Sequence, residues 1–259
     1  MRLNDKIAII AHRGASCYAK ENTLEAFKLA VLQKATAVEM DVRKTLDGEL
    51  VVHHDRGMKN GRTTFWIDKH TYQELENYIG EGLLKLSDVL ASLNCNTILN
   101  IDIKQRGIER DVACLINKFW RGDRVIVDSI SPGSVITLRA LLPNAQLGLS
   151  LAVEDKRDLG KRIPVRLLLA LSPFLLRRLI GPVILRVARK SRCDIVNINA
   201  RFVNNKTIEL LHKAGIKVYV WRIDKEKQMR KLLQLGIDGI KTGKPDLLRR
   251  VVFEHENNC

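Results

Sequence analysis

Three places in the chain hold residue types that could do chemistry. They are a His12-Arg13-Gly14 step after the apolar run "IAII", the pair Glu39 and Asp41 in "VEMDV", and His53-His54-Asp55 in "VVHHD". On a strand, residues two apart point to the same face. Glu39 and Asp41 would then repel each other unless a cation sits between them, and a hard divalent ion such as Ca²⁺ or Mg²⁺ prefers oxygen ligands. Asp102, in "LNIDIK", offers a third carboxylate. An isolated E-x-D also reads as a salt-bridged pair on a solvated strand edge, and a lone histidine beside an aspartate also reads as structural. Alternation along "ELVVHHD" puts Leu50, Val52 and His54 on one face and Val51 and His53 on the other, so one of the two histidines can face a pocket. His12 and His54 gain meaning as a pair, because hydrolysis at phosphorus needs a proton donor and a proton acceptor. The His12-Arg13-Gly14 step is open to three readings: a turn, a phosphate grip, or half of an acid–base pair.

These residues can act together only if distant segments converge. Short β-branched runs alternate with helix-like segments along the whole chain: "KIAIIA", "AVEMDV", "TILNIDI", "RVIVDSI", "AQLGLSL", "DIVNINA", "KVYVWRI" and "DGIKT". Between them lie amphipathic stretches. "TLEAFKLAVLQKA" has Asn22 or Thr23 as a candidate cap, and two later helices end at Gly215 and Gly236. Eight strands alternating with helices predict a (β/α)8 TIM barrel, with a doubly wound open sheet as the alternative. In a barrel the C-terminal strand ends meet at one mouth. Here those ends carry His12 and Arg13, Glu39 and Asp41, Asp102 and Lys104, and Trp221 and Arg222.

The 259 residues are 46% hydrophobic, enough for a sizeable core. With no linker-like stretch and no fixed repeat, they predict one domain over 1–259. The five cysteines form no C-x-x-C pair, and the N-terminus has too short an apolar core for a secretory signal, so a cytoplasmic protein is expected. No run of about 18 uncharged apolar residues offers a spanning helix. The net charge of +15 points to a membrane surface, nucleic acid or anionic substrates. Nucleic acid is disfavoured, because aromatics make up 5% of the chain and no helix-turn-helix, zinc-finger or RNP motif is present.

Much of that charge lies in a helical basic-apolar insertion, about residues 154–192, after the fifth strand. From Asp155 to Arg192 there are eleven Lys/Arg and two Asp, interleaved with leucine, isoleucine and phenylalanine. Ser172-Pro173 and Gly181-Pro182 read as starts of short helices. Residues 163–190 are expected to meet an anionic membrane surface, holding the protein there peripherally. An ordinary outer barrel helix and a dimer contact are the other readings.

Taken in order, the motifs resemble the glycerophosphodiester phosphodiesterase family. "HRG" at 12–14 followed by "ENT" at 21–23 is similar to the family's opening. "VEMDVRKTLDGELVVHHD", "LNIDIK", "HKAGIKVYVW" and "GIDGIKTGKPDLL" resemble its later blocks. The resemblance implies a (β/α)8 barrel with a divalent cation, Mg²⁺ or Ca²⁺. It implies hydrolysis of a glycerophosphodiester to an alcohol and sn-glycerol 3-phosphate. By position it makes His12 and His54 the acid–base pair and Glu39, Asp41 and Asp102 the metal ligands. Arg13 and Lys104 would grip the phosphate, and Trp221 would line the glycerol side. A lysophospholipid, cleaved as by a lysophospholipase D, is the alternative substrate, and a catalytically silent protein that only binds anionic lipid is the alternative from another class. Three positions depart from the family pattern: Lys20 for proline, Asp102 for glutamate and Gly243 for an acid. The missing methylene at Asp102 shortens its reach by roughly 1.5 Å.

Overall fold

The eight Val- and Ile-rich runs all become parallel strands, and the last pairs back onto the first. In the computed structural model the described residues are 7–61, 63–79, 82–93, 97–120, 122–151 and 173–257. The strands are β1 (Ala8–Ala11), β2 (Ala37–Lys44), β3 (Leu50–Val52), β4 (Gly57–Asn60), β5 (Thr63–Trp66), β6 (Ile98–Ile103), β7 (Val125–Ser129), β8 (Gln146–Ser150), β9 (Ile195–Asn199), β10 (Lys217–Trp221) and β11 (Gly239–Thr242). Eight of them close in the order β1-β2-β6-β7-β8-β9-β10-β11, with β11 pairing β1. The chain is a (β/α)8 barrel, and the open-sheet alternative fails on that closing pair. The three remaining strands lie between β2 and β6. β3 runs antiparallel to the end of β2, and β4 and β5 form a hairpin.

The helices are α1 (Leu24–Leu32), α2 (Tyr72–Ile79), α3 (Leu86–Ser92), α4 (Glu109–Phe119), α5 (Pro132–Leu141), α6 (Pro173–Ser191), α7 (Asn205–His212), α8 (Glu226–Gln234) and α9 (Pro245–Asn257). Local chemistry sets their ends. Thr23 caps α1, its hydroxyl accepting from the Ala26 N–H at 3.2 Å, and Asn204 caps α7 in the same way at 3.0 Å. After α7 and α8 the chain turns through Gly215 and Gly236 at φ of +72° and +77°, as the sequence predicts.

Strand alternation divides the interior in two. Val38, Met40 and Val42 of β2 face outward into the main core between barrel and helices. Ala37 faces inward and joins Ala8, Ile10, Ile98, Ile126, Ile195 and Tyr219 as an apolar floor inside the barrel. Above that floor the inward positions turn polar: Glu39, Asp41, Asn100, Asp102, Asp128, Asn197 and Lys241 are all buried. Register aligns Glu39 with Asn100, Asp41 with Asp102, and Asp102 with Asp128, which brings the acids of three strands to neighbouring heights.

The reading of residues 154–192 as an insertion needs correction over its second half. Gly181-Pro182 starts no new helix but lies inside α6. Gly181 permits close packing there, since a Cβ would stand 3.2 Å from Thr207 Oγ1 on α7. Ile184 and Ala188 are buried while Arg186, Arg189 and Lys190 face solvent. This half is the outer helix that every barrel strand requires. Residues 152–172, which carry the rest of the expected membrane contact, lie outside the described residues. Among the described residues no helix is long and apolar enough to cross a membrane.

Candidate active site

The chain leaves β1 at Ala11 and turns at once, with Arg13 at φ +56° and Gly14 at φ +81°. Gly14 is required, because a Cβ would lie 2.6 Å from the Ala26 backbone carbonyl carbon of α1. Holding a non-glycine residue such as Arg13 left-handed costs about 1–2 kcal/mol. The partners of Arg13 offset that cost. Its backbone N–H donates to Glu39 Oε2 at 2.6 Å, and its Nη1 meets Glu21 Oε1 at 2.7 Å. Its Nε lies 3.0 Å from Asp41 Oδ2, an ion pair without hydrogen-bond alignment. The step is therefore a turn whose shape serves the acids of β2. Asn22, also left-handed at φ +59°, is no helix cap; its amide donates to Asp41 Oδ2 at 2.9 Å.

Glu39, Asp41 and Asp102 each bring a carboxylate oxygen within 4.8 Å of the other two, all buried. Lys104 Nζ lies 3.3 Å from Asp41 Oδ1 and 3.0 Å from Asp102 Oδ2. Burial pushes Glu39 above its ordinary range, and the charge of Asp41 pushes it further. Burial also raises Asp102, against the pull of Lys104 and Lys241. Burial opposes ionisation of Asp41 too, but Lys104 and Arg13 outweigh it and hold that carboxyl below the usual range. Asp41 Oδ1 and Asp102 Oδ1 are buried without a hydrogen-bond partner. Crowded hard oxygens with unmet acceptor capacity suit a divalent cation such as Mg²⁺ or Ca²⁺, and the shorter Asp102 remains within the cluster.

Both predicted histidines exchange electrostatic influence with Asp41. His12 is fixed by its backbone N–H donating to Thr242 O at 2.8 Å, and burial, then Arg13, push its imidazole well below the usual value. His54 Nδ1 lies 2.8 Å from Asp55 Oδ1, and His54 is among the groups that favour the charge on Asp41. The alternation expected to separate His53 from His54 stops early, because β3 ends at Val52. His53 instead donates its backbone N–H to the Asp41 carbonyl at 3.0 Å. Trp221 closes β10 with its indole Nε1 buried and without a partner.

Sequence reasoning missed a second charged group beside this cluster. Lys241 Nζ meets Asp128 Oδ2 at 2.6 Å, and Asn100 Nδ2 donates to the same oxygen at 2.7 Å. Burial alone would lower Lys241, but Asp128 and then Glu39 more than offset it, so the ammonium stays charged. Gly148 makes room for the pair, since a Cβ there would overlap Asp128 Oδ1 at 1.8 Å. The available signal was a single charge within an apolar strand, Asp128 in "VIVDS" and Lys241 in "GIKT".

The model of the glycerophosphoryl diester phosphodiesterase family matches residues 12–247. YhdW of Bacillus subtilis is 31% identical, the alignment covering 96% of this chain and 99% of YhdW. Lysophospholipase D GDPD3 of Mus musculus is 25% identical over 96% of this chain and 83% of its own. The crystal structure of a glycerophosphodiester phosphodiesterase from Thermotoga maritima superposes with a TM-score of 0.73 at 25% identity, covering 96% of this chain and all of that one.

The Lys241–Asp128 pair gives a stability prediction. Lys241→Met leaves a buried carboxylate uncompensated and should destabilise the fold by about 3–5 kcal/mol in urea denaturation. Adding Asp128→Asn should recover a large part of that loss. A single variant within about 1 kcal/mol of the parent would contradict the pairing.

Proposed function

This chain belongs to the glycerophosphoryl diester phosphodiesterase family and is a phosphoric diester hydrolase. From that premise we propose that it cleaves glycerophosphodiesters to an alcohol and sn-glycerol 3-phosphate. In this reading His12 and His54 are the acid–base pair, and Glu39, Asp41 and Asp102 hold a divalent cation. The observation that carries the reading is the buried triad of Glu39, Asp41 and Asp102 with Arg13 and Lys104 set against it, whose charges also act on His12 and, through Asp41, on His54.

A phosphodiester is an anion that resists nucleophiles, so its negative oxygens must first be neutralised. A divalent cation at the triad supplies that neutralisation when bound. Arg13 and Lys104 add positive charge beside it, and the planar fork of Arg13 suits two phosphate oxygens. His12, kept neutral by burial and Arg13, accepts the proton of the attacking glycerol hydroxyl. His54, steadied through Nδ1 by Asp55, protonates the leaving alcohol oxygen. Water then opens the resulting cyclic phosphate with the two roles reversed. Trp221 lines the glycerol side, its unpartnered Nε1 available to a substrate oxygen. A silent lipid-binding protein would leave this arrangement without a use.

His12→Ala and His54→Ala should each lower glycerol 3-phosphate release from glycerophosphoglycerol, with Mg²⁺ or Ca²⁺ present, by about 10²- to 10⁴-fold. Parent-like rates in either variant would refute the acid–base assignment.

A second reading, lysophospholipid hydrolysis by a cytoplasmic protein bound peripherally to membrane, is favoured by the eleven Lys/Arg between Asp155 and Arg192. The likeness to a mammalian lysophospholipase D adds to it. Because α6 belongs to the barrel, the test neutralises charge ahead of it. Lys161→Gln, Arg162→Gln and Arg166→Gln together should abolish sedimentation with phosphatidylglycerol vesicles at low salt, each charge near such a surface being worth about 1 kcal/mol. Undiminished sedimentation would refute the anchor.

A further inference from the structure

We propose that a cavity of about 200 Å³ beside Lys104 takes the leaving alcohol of the substrate and selects alcohols that carry a further negative charge. The proposal rests on the hydrolysis reading above and names the substrate class. The cavity is lined by Arg43, Arg56, Ile67, Asp68, Lys104 and Gln105. It begins where the acid cluster ends. The alternation that sends Glu39 and Asp41 into the barrel sends Arg43, the next residue on that face, to its rim. Arg43 is held rigidly there: its Nε donates to His54 O at 2.8 Å and its Nη1 to Lys104 O at 3.3 Å. One guanidinium therefore ties the turn bearing the proposed proton donor to the end of β6. On the far wall Arg56 Nη2 meets Asp68 Oδ2 at 2.8 Å, and the Arg56 guanidinium lies 5.7 Å from the centre of the Trp66 ring.

Charge and size set the occupant. Arg43, Arg56 and Lys104 line the space with one carboxylate, Asp68; Arg56 already faces Asp68 and Lys104 already faces Asp41 and Asp102, so the pull on an anionic group comes chiefly from the two guanidiniums. Their fixed forks match phosphate or carboxylate oxygens. The cavity is smaller than the roughly 300–1,000 Å³ of sites for drug-sized ligands, and Ile67 supplies an apolar wall. A short polyol or amino-alcohol skeleton suits a space of that size with a mostly charged lining. Lys104 belongs both to this cavity and to the acid cluster, which places the occupant one side chain from the reacting phosphate. Arg43, through the His54 carbonyl, ties the wall of this cavity to the residue proposed to protonate the leaving alcohol.

The matched probes are sn-glycero-3-phosphoglycerol and the same diester with a terminal phosphate monoester, which differ by that charged group alone. With Mg²⁺ present, kcat/KM for the phosphorylated diester should exceed that for the neutral one at least tenfold in the wild-type protein. Arg56→Gln should lower this ratio at least fivefold, Arg56→Lys should restore part of it, and Asp68→Asn should raise it. Damage to the fold cannot move the ratio in opposite directions. The same two ligands titrated calorimetrically into the His12→Ala protein give a binding ratio independent of turnover. Preference for the charged ligand there, without hydrolysis in the wild type, would support the cavity and defeat the hydrolysis reading. A charged-to-neutral ratio near one, or one unmoved by Arg56→Gln and Asp68→Asn, would overturn the cavity assignment while leaving hydrolysis intact.

Discussion

Asp41 is ionised inside a barrel, out of water, with Glu39 and Asp102 beside it. Burying a charge in this way is very costly unless partners are built around it. Arg13 and Lys104 stand against two of its faces, and Asn22 donates to the oxygen that Arg13 approaches. Beside them, Lys241 answers Asp128 and feels Glu39 and Asp102. Glu39, Asp41, Asp102 and Asp128 nonetheless outnumber Arg13, Lys104 and Lys241. The surplus appears in the raised Glu39 and Asp102 and in Asp41 Oδ1 and Asp102 Oδ1, which are buried and accept no hydrogen bond. One divalent cation would reverse that balance and leave a site attractive to an anionic diester.

The rest of the structure serves this constraint. The apolar floor of Ile10, Ile98, Ile126 and Ile195 keeps water from entering the acids from below. The tight turn at Gly14 lets α1 press against the site, and the left-handed Arg13 and Asn22 aim their polar groups at β2. Strained backbone of this kind persists only where the surroundings over-determine it, and it clusters at functional sites. Arg222, also left-handed at φ +55°, follows Trp221 at the same mouth.

The barrel was legible from strand count and spacing, because each β-branched run is followed by an amphipathic stretch and a turn signal. The acids and His12 were legible because they sit toward the C-terminal ends of barrel strands, where the architecture gathers them, whereas His54 follows the extra strand β3 and was read from its place before Asp55. The roles of neighbouring groups were harder to read. Asn22 looked like a cap because asparagine before a helix usually is one, whereas its partner Asp41 lies 19 residues away. Asp128 and Lys241 lie 113 residues apart and interact only across the closed barrel, a contact no local pattern carries. Gly181-Pro182 read as a helix start because proline favours the first turn, yet packing against α7 carries α6 through it. The rim cavity was invisible for a similar reason, since its walls come from β2, the segment after His54 and the end of β6.

The central claim is that the buried acids are arranged around one divalent cation. Calorimetric titration of Mg²⁺ or Ca²⁺ into the wild-type protein and into Asp41→Asn tests it most directly. The account predicts one ion bound per wild-type chain and at least about a tenfold loss of affinity in the variant, about 1.4 kcal/mol. Absence of binding, or equal affinity in the two proteins, would contradict it.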